Sequence, residues 1–161
     1  MSKLHNIVGF LLIVFFPLHN KANAQEAKSV NWLTFEQLED SLNTHPKQVF
    51  IDFYTDWCTY CRKMDKMVFV KSDVIDLLNS DYYAVRFDAE SDLEVNFGNQ
   101  ILINDQIGKS RNPVHQIAQA LALRNGQFAP PVLVVLDENF NVTARYFEYM
   151  DSRRIIEALK K

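Results

Sequence analysis

The chain has 161 residues, of which 48% are hydrophobic and 23% charged, and its formal net charge is −3. This length and apolar content suit one folded domain and exclude a disordered chain. The acidic balance gives no basic footprint, so binding to nucleic acid is excluded as the main role. The 2 cysteines are too few for a small secreted scaffold held together by disulfides.

The first 24 residues have the pattern of an export signal. Lys3 supplies a positive start, residues 7–16 are largely apolar, and residues 22–24 read Ala-Asn-Ala, a small-residue cleavage site. Such a short apolar run does not span a bilayer, so an uncleaved anchor is the weaker alternative. We therefore predict a cleaved signal peptide at 1–24, a single domain at 25–161, no stable membrane insertion, and a periplasmic or secreted location.

The first predicted element of the folded chain is a helix that begins after Thr34. Thr34 and Gln37 have the spacing of a capping box, in which each side chain bonds the backbone N–H of the other residue. Leu33 and Leu38 are placed to pack against each other across this first turn. The helix is predicted to end at His45, because a proline follows.

Two strands and two helices are predicted next. Residues 49–54 are almost uniformly apolar, which is typical of a strand buried on both faces at the centre of a sheet. A helix then runs to about Val68, and Ser72 is predicted to cap a further helix at 73–79. Residues 82–87 form the second strand.

Residues 91–128 form an insert before the next predicted strand. Their signals are a hairpin turn, a helix start and a helix stop, at Gly98-Asn99, Asn112-Pro113 and Asn125-Gly126 respectively. Strands at 132–136 and 142–147 follow, and Asp151 or Ser152 caps the last helix. The predicted order is therefore helix, strand, helix, strand, insert, strand, strand, helix.

Two cysteines, Cys58 and Cys61, stand where the first strand passes into a helix. The helix dipole and free N–H groups acidify a thiol at a helix N-terminus, so Cys58 is the predicted reactive, accessible thiol and Cys61 the buried one. A Cys-x-x-Cys pair also occurs in zinc sites, which need two further ligands. Only His45 and His115 remain outside the leader, so no metal site is predicted; a redox couple and a structural disulfide stay open.

Residues 52–64 read D-F-x-x-x-W-C-x-x-C-R-x-M, and here the chain resembles the secreted thioredoxin-like thiol–disulfide oxidoreductases. The resemblance extends over about 33–161. It implies an α/β thioredoxin fold, a central mixed β-sheet flanked by helices, with an insert at about 91–128 before the cis-proline strand. It also implies that Cys58 attacks a substrate disulfide and that Cys61 resolves the mixed disulfide by forming the Cys58–Cys61 bond.

The resemblance gives Asp52 the position of a buried acid, six residues before Cys58. A carboxyl group in a dry strand has a raised pKa, so Asp52 is the predicted acceptor of the proton of Cys61. An exposed acid at a strand edge is the alternative. Arg86 matches the position where thioredoxins often carry a lysine near that acid, and a plain surface cation is an equal alternative.

The resemblance also locates the substrate side of the site. Pro131 matches the cis-proline of the family, which stands against the active-site disulfide. Pro130 departs from the family pattern, because the residue there often pairs its N–H with the substrate and proline has no N–H. Trp57 is expected to pack over the disulfide, and Thr59 and Tyr60, which lie between the cysteines, to contact the substrate.

The predicted function is an exported enzyme that reduces or isomerises disulfides of proteins or peptides. It is expected to use no cofactor and to draw electrons from an external donor, such as a membrane disulfide reductase, because no third cysteine is present to relay them. The rivals are a binding or chaperone module of the same fold and a structural domain with an inert disulfide. His115 is predicted to be solvated or to cap a helix, and not to be catalytic.

Overall fold

The computed structural model describes residues 28–160, and the predicted signal peptide lies outside them. The helices are α1 (Phe35–Thr44), α2 (Thr59–Met67), α3 (Ser72–Asp81), α4 (Gln116–Leu121) and α5 (Ser152–Leu159). The strands are β1 (Trp32–Leu33), β2 (Gln48–Tyr54), β3 (Tyr82–Asp88), β4 (Val95–Phe97), β5 (Gln100–Leu102), β6 (Val132–Leu136) and β7 (Val142–Tyr146).

Five of these strands form one mixed sheet in the order β1-β3-β2-β6-β7. Strands β1 and β2 run parallel to β3, whereas β6 runs antiparallel to both β2 and β7. The apolar strand β2 is central, as its composition predicts. Helices cover both faces, so this is the α/β architecture that the resemblance implies.

Alternation along β2 sends its side chains into two different cores. Phe50 packs with Met64 of α2 and with α3 and α5, whereas Ile51 and Phe53 pack with α1 and α4. Asp52 has the same parity as Phe50 and therefore lies on the face that α2 covers. β2 thus places Asp52 under α2, the helix whose first turn carries the cysteines.

Most predicted element boundaries are confirmed. Thr34 caps α1 in a complete capping box, His45 ends that helix, and Asp151 caps α5. The hairpin β4–β5 turns at Gly98 and Asn99, both of which have positive φ, as a tight two-residue turn requires.

Four predictions about elements are wrong or incomplete. Helix α3 begins at Ser72 itself, with Lys71 at the N-cap position, so Ser72 is not the cap. Helix α4 begins at Gln116 with His115 as its cap and not at Asn112-Pro113. It ends at Leu121, so Asn125-Gly126 is not its stop signal but a separate turn. The short strand β1 has no clear sequence pattern; it is held by pairing with β3 and by Trp32, whose ring lies 5.1 Å from that of Phe69.

No helix within residues 28–160 combines the length and the apolar character that crossing a membrane requires.

Candidate active site

The two cysteines lie at the first turn of α2 and form a disulfide. The S–S distance is 2.06 Å and the Cα atoms are 5.3 Å apart. Cys58 is the N-cap residue, and its Sγ accepts the backbone N–H of Cys61 at 3.0 Å. A sulfur in this position lies at the positive end of the helix dipole, so a thiolate formed there on reduction is stabilised.

The expected difference in exposure between the two cysteines is absent from the disulfide form. Cys58 is 3% exposed and Cys61 is 2% exposed. Cys58 is covered because its sulfur is bonded to Cys61 and turned over the first turn of the helix. The prediction of an accessible Cys58 concerns the free thiols, so the disulfide form leaves it a prediction.

Asp52 is the most unusual ionisable group of the site. It is 1% exposed, and its Oδ2 lies 3.2 Å from Nε of Arg86. Its Oδ1 has no hydrogen-bond partner among residues 28–160. Burial raises the pKa of Asp52 to about 7, because desolvation outweighs the attraction of the Arg86 cation. The alternative of an exposed strand-edge acid is excluded.

Arg86 lies beside Asp52 because the two residues are paired across β2 and β3. Its Nη2 donates to Oδ2 of Asp65 on α2 at 2.7 Å, and its guanidinium stacks 4.2 Å from the ring centre of Tyr54. Arg86 is therefore shared between two carboxylates and is not a free surface cation. Asp65 has an opposite influence on Asp52, since its negative charge raises the pKa of Asp52.

The rim of the site carries exposed aromatic side chains. Trp57 is 54% exposed, and its Nε1–H donates to Oε2 of Glu90 at 3.0 Å. Tyr60 is 58% exposed, and its ring lies 6.0 Å from that of Tyr149. The ammonium group of Lys63 lies 4.6 Å from the centre of the Tyr149 ring. Aromatic groups held in the open beside a reactive pair offer contact area to a bound chain.

A groove beside the tyrosines is lined in part by the two prolines. The peptide bond between Pro130 and Pro131 is cis. Together with Tyr60 and Tyr149, these prolines line a groove of about 490 Å³. Thr59, in contrast, is occupied within its own helix, where its Oγ1 accepts from Nη2 of Arg62 at 3.3 Å.

His115 lies away from this constellation, on the other face of the sheet. It is completely buried, with its ring 5.0 Å from that of Phe87. Its Nδ1 accepts the N–H of Ile117, which caps α4, and its Nε2–H donates to the carbonyl of Leu93 at 3.0 Å. The prediction of a capping residue is confirmed, and the alternative of a solvated histidine is wrong.

The sequence interpretation missed three residues of the site: Asp65, Glu90 and Tyr149. Asp65 follows Cys61 by four residues, which is one helical turn, so this spacing was a usable signal. Glu90 and Tyr149 lie in loops, and no local sequence pattern predicts that they belong to the site.

Within the described residues, no group of three His, Cys, Asp or Glu side chains is arranged to hold a metal ion.

The comparisons with known proteins agree with this geometry. A family model described as "Thioredoxin-like domain" matches residues 34–161. The chain belongs to this family, and its Cys58–Cys61 pair forms a disulfide.

Three relatives illustrate the extent of the likeness. A "Thiol:disulfide interchange protein DsbD" of Colwellia psychrerythraea is 32% identical over 94 residues, covering 50% of this chain and 16% of that protein. Another, from Pseudomonas sp., is 38% identical over 53 residues, covering 33% and 9%. A thioredoxin structure from Thermus thermophilus has a TM-score of 0.58 at 16% identity, covering 82% and 85% of the two chains. The chain thus spans less than a fifth of the length of the two curated DsbD relatives.

Proposed function

We propose that this protein is exported and that it reduces or isomerises disulfides in protein or peptide substrates. One observation carries the proposal: a disulfide at a helix N-terminus lies on a helix that packs over a buried carboxyl group with one partnerless oxygen. A structural disulfide has no need for such an acid, whereas proton transfer during exchange does.

The proposed reaction has two displacement steps. The thiolate of Cys58 attacks one sulfur of a substrate disulfide, forming a mixed disulfide and releasing the other substrate sulfur as a thiolate. The thiol of Cys61 then gives its proton to the carboxylate of Asp52 and attacks Sγ of Cys58. The Cys58–Cys61 bond forms, the bond from Cys58 to the substrate breaks, and the second substrate thiolate leaves. Two electrons have passed from the protein to the substrate.

The carboxyl group of Asp52 suits this role because of its pKa. A group with a pKa of about 7 takes up and releases a proton readily near neutral pH. Arg86 moderates that pKa from one side and is itself held by Asp65. We assign Arg86 and Asp65 as positioning residues and Asp52, Cys58 and Cys61 as the catalytic residues.

The substrate chain is proposed to lie across the rim and the proline groove. The proposed contacts are Trp57, Thr59, Tyr60, Pro130 and Pro131. Trp57 and Thr59 are exposed residues on either side of Cys58 in the sequence, and the other three line the groove. Because Pro130 has no N–H, the substrate backbone can form only one of the two usual hydrogen bonds there.

The proposed direction is reduction or isomerisation. Neither Thr59 nor Tyr60 supplies a cation to the thiolate, and Arg62 is turned back to the carbonyl of Asp56. Cys58 is therefore expected to be only moderately acidified, with a potential nearer about −270 mV than about −120 mV. The spent disulfide then needs two electrons from an external dithiol, for which a membrane disulfide reductase is the proposed donor.

Insulin reduction with dithiothreitol as electron donor tests the catalytic proposal. Wild-type protein is expected to accelerate insulin precipitation, and Cys58→Ser to abolish the acceleration. A binding or chaperone module predicts no turnover by the wild type, and that result would contradict the proposal. Cys61→Ala should instead hold substrates as mixed disulfides on Cys58.

The proposed domain limits have a separate test. Protein recovered from the exported fraction is expected to begin at Gln25, as intact mass measures directly. Retention of residues 1–24 would overturn the proposed cleavage.

A further inference from the structure

We propose that the substrate polypeptide extends from the disulfide along the edge strand β7 to a basic site formed by Arg124 and Arg145. Substrates with an acidic side chain about four residues from their reactive cysteine are then preferred. This inference rests on the proposed function and adds a substrate class to it.

Three grooves adjoin on this side of the molecule, because each shares lining residues with the next. The groove at Pro131 and Tyr149 shares Phe147 and Glu148 with a second groove of about 590 Å³. The second groove shares Arg124, Arg145 and Phe147 with a third, which follows β7 outward. A chain that occupies the proline groove and continues into the next two grooves therefore meets both arginines.

The two arginines retain charge for a ligand. Within residues 28–160, neither Arg124 nor Arg145 takes part in an ion pair. Arg124 stacks 5.6 Å from the ring centre of Phe147, and Nε of Arg145 donates to the carbonyl of Leu121 at 2.6 Å. These contacts fix the guanidinium groups and leave their terminal nitrogens as donors for a carboxylate.

Glu148 is the one acid that lines these grooves, and it is paired with a cation. Its Oε1 accepts from Nη2 of Arg154 at 2.5 Å. The two remaining arginines form a basic site on a protein whose formal net charge is −3. The positive charge of this site favours an acidic partner, whereas the negative net charge of the whole protein does not.

The strand beside these arginines explains why the partner is an extended polypeptide. β7 is the last strand of the five-stranded sheet, and within residues 28–160 it pairs only with β6, so its outer edge has no strand partner there. Such pairing compensates for the hydrogen bond that Pro130 does not provide beside the disulfide. Tyr149, whose ring contacts that of Tyr60 next to Cys61, is four positions from Arg145, which corresponds to roughly 13 Å of extended chain.

The test uses peptides that each carry one cysteine as a mixed disulfide with thionitrobenzoate. In two peptides a glutamate stands four residues before or four residues after the cysteine, and in their controls a glutamine replaces it. Reduced wild-type protein is expected to release thionitrobenzoate from one of the glutamate peptides roughly fivefold faster, in kcat/KM, than from its glutamine control. The preference should fall below twofold in Arg124→Gln and in 0.5 M NaCl.

The matched control is Arg111→Gln, which removes an exposed arginine of the insert and should keep the full preference. Equal rates for glutamate and glutamine peptides in the wild type, at both placements, would overturn the inference. So would a preference that survives Arg124→Gln combined with Arg145→Gln. Reduction of 5,5′-dithiobis(2-nitrobenzoate), which carries no peptide, tests the proposed function separately. If the wild-type protein does not reduce this compound, the proposed function and this inference are both wrong. If it reduces the compound but shows no preference for the glutamate peptides, only this inference is wrong.

Discussion

Asp52 in the candidate active site and His115 in the insert are buried to the same degree, but only His115 has a hydrogen-bond partner for every polar side-chain atom. Asp52 is 1% exposed and His115 is 0% exposed. Both nitrogens of His115 have partners, whereas Oδ1 of Asp52 has none among the described residues. Burial alone therefore does not mark a reactive group. The unpartnered Oδ1 of Asp52 is the difference that supports its proposed role as a proton acceptor.

The two groups also give opposite signs to the pH dependence of stability. Burial raises the pKa of Asp52, so ionising it in the folded protein costs free energy, and this cost grows as pH rises from about 4 to about 7. Burial lowers the pKa of His115, so the unfolded chain binds its proton more readily. Its contribution to stability is present above the ordinary histidine pKa and is lost as pH falls below it.

The largest expected effect is on stability and comes from His115→Ala. The substitution leaves a cavity, an uncapped N–H at Ile117 and a partnerless carbonyl at Leu93. We expect a loss of about 3–4 kcal/mol in the free energy of unfolding, measured by urea titration at pH 7.5. Reduction of a small aromatic disulfide should remain within about twofold of wild type at 20 °C.

His45→Ala is the matched control for this variant. His45 is the exposed histidine at the end of α1, and its loss should change stability by less than about 0.5 kcal/mol. A collapse of exchange activity in folded His115→Ala protein would break the comparison, because it would give the insert histidine a chemical role.

Asp52→Asn is expected to stabilise the fold at neutral and higher pH. A pKa displaced from 3.8 to about 7 corresponds to a cost on the order of 4 kcal/mol for ionising the group. The variant should gain about 2–4 kcal/mol over wild type at pH 8 and less than about 1 kcal/mol at pH 4.5. Urea titrations of the oxidised proteins at both pH values measure this, and an equal gain at both would refute the raised pKa.

The smallest expected effect concerns the neighbours that tune Asp52. Asp65→Asn removes a negative charge that raises the pKa of Asp52. It also leaves Asp52 as the only carboxylate paired with Arg86 within residues 28–160. We expect the pH midpoint of exchange to fall by about half a unit to one unit. Arg86→Met should move the midpoint upward, because it removes the cation that lowers this pKa.

The control is Glu157→Gln, which removes an exposed acid on α5 and should leave the midpoint unchanged. An unchanged midpoint in both site variants would show that Arg86 and Asp65 only hold the sheet against the helix.

The sequence predicted those parts of the fold whose signals are local. The capping box at Thr34 and the tight turn at Gly98-Asn99 each satisfy their own backbone groups, so neighbouring residues suffice to specify them. The start of α4 was missed because its cap is a buried histidine that also bonds Leu93, 22 residues earlier. Tertiary contacts there override the usual Asn-Pro signal.

The site was predictable along one segment and not across the fold. Cys58, Cys61 and Asp52 belong to one strand–helix unit, so their spacing alone brings them to the same region. The contact between Arg86 and Asp65 joins β3 to α2 across 21 residues of sequence, so no local pattern encodes it. Tyr149 meets Tyr60 only because the loop before α5 folds over the start of α2.

The most direct test of the account is the pH dependence of the resolving step in wild type and Asp52→Asn. The mixed disulfide is formed rapidly with a chromogenic disulfide, and release of the second thiolate is followed in a single turnover between pH 5.5 and 9. The wild-type rate should rise with an apparent pKa near 7. In Asp52→Asn this step should be at least about tenfold slower at pH 7 and should lack that pKa. Superimposable profiles for the two proteins would contradict the claim that the partnerless acid accepts the proton of Cys61.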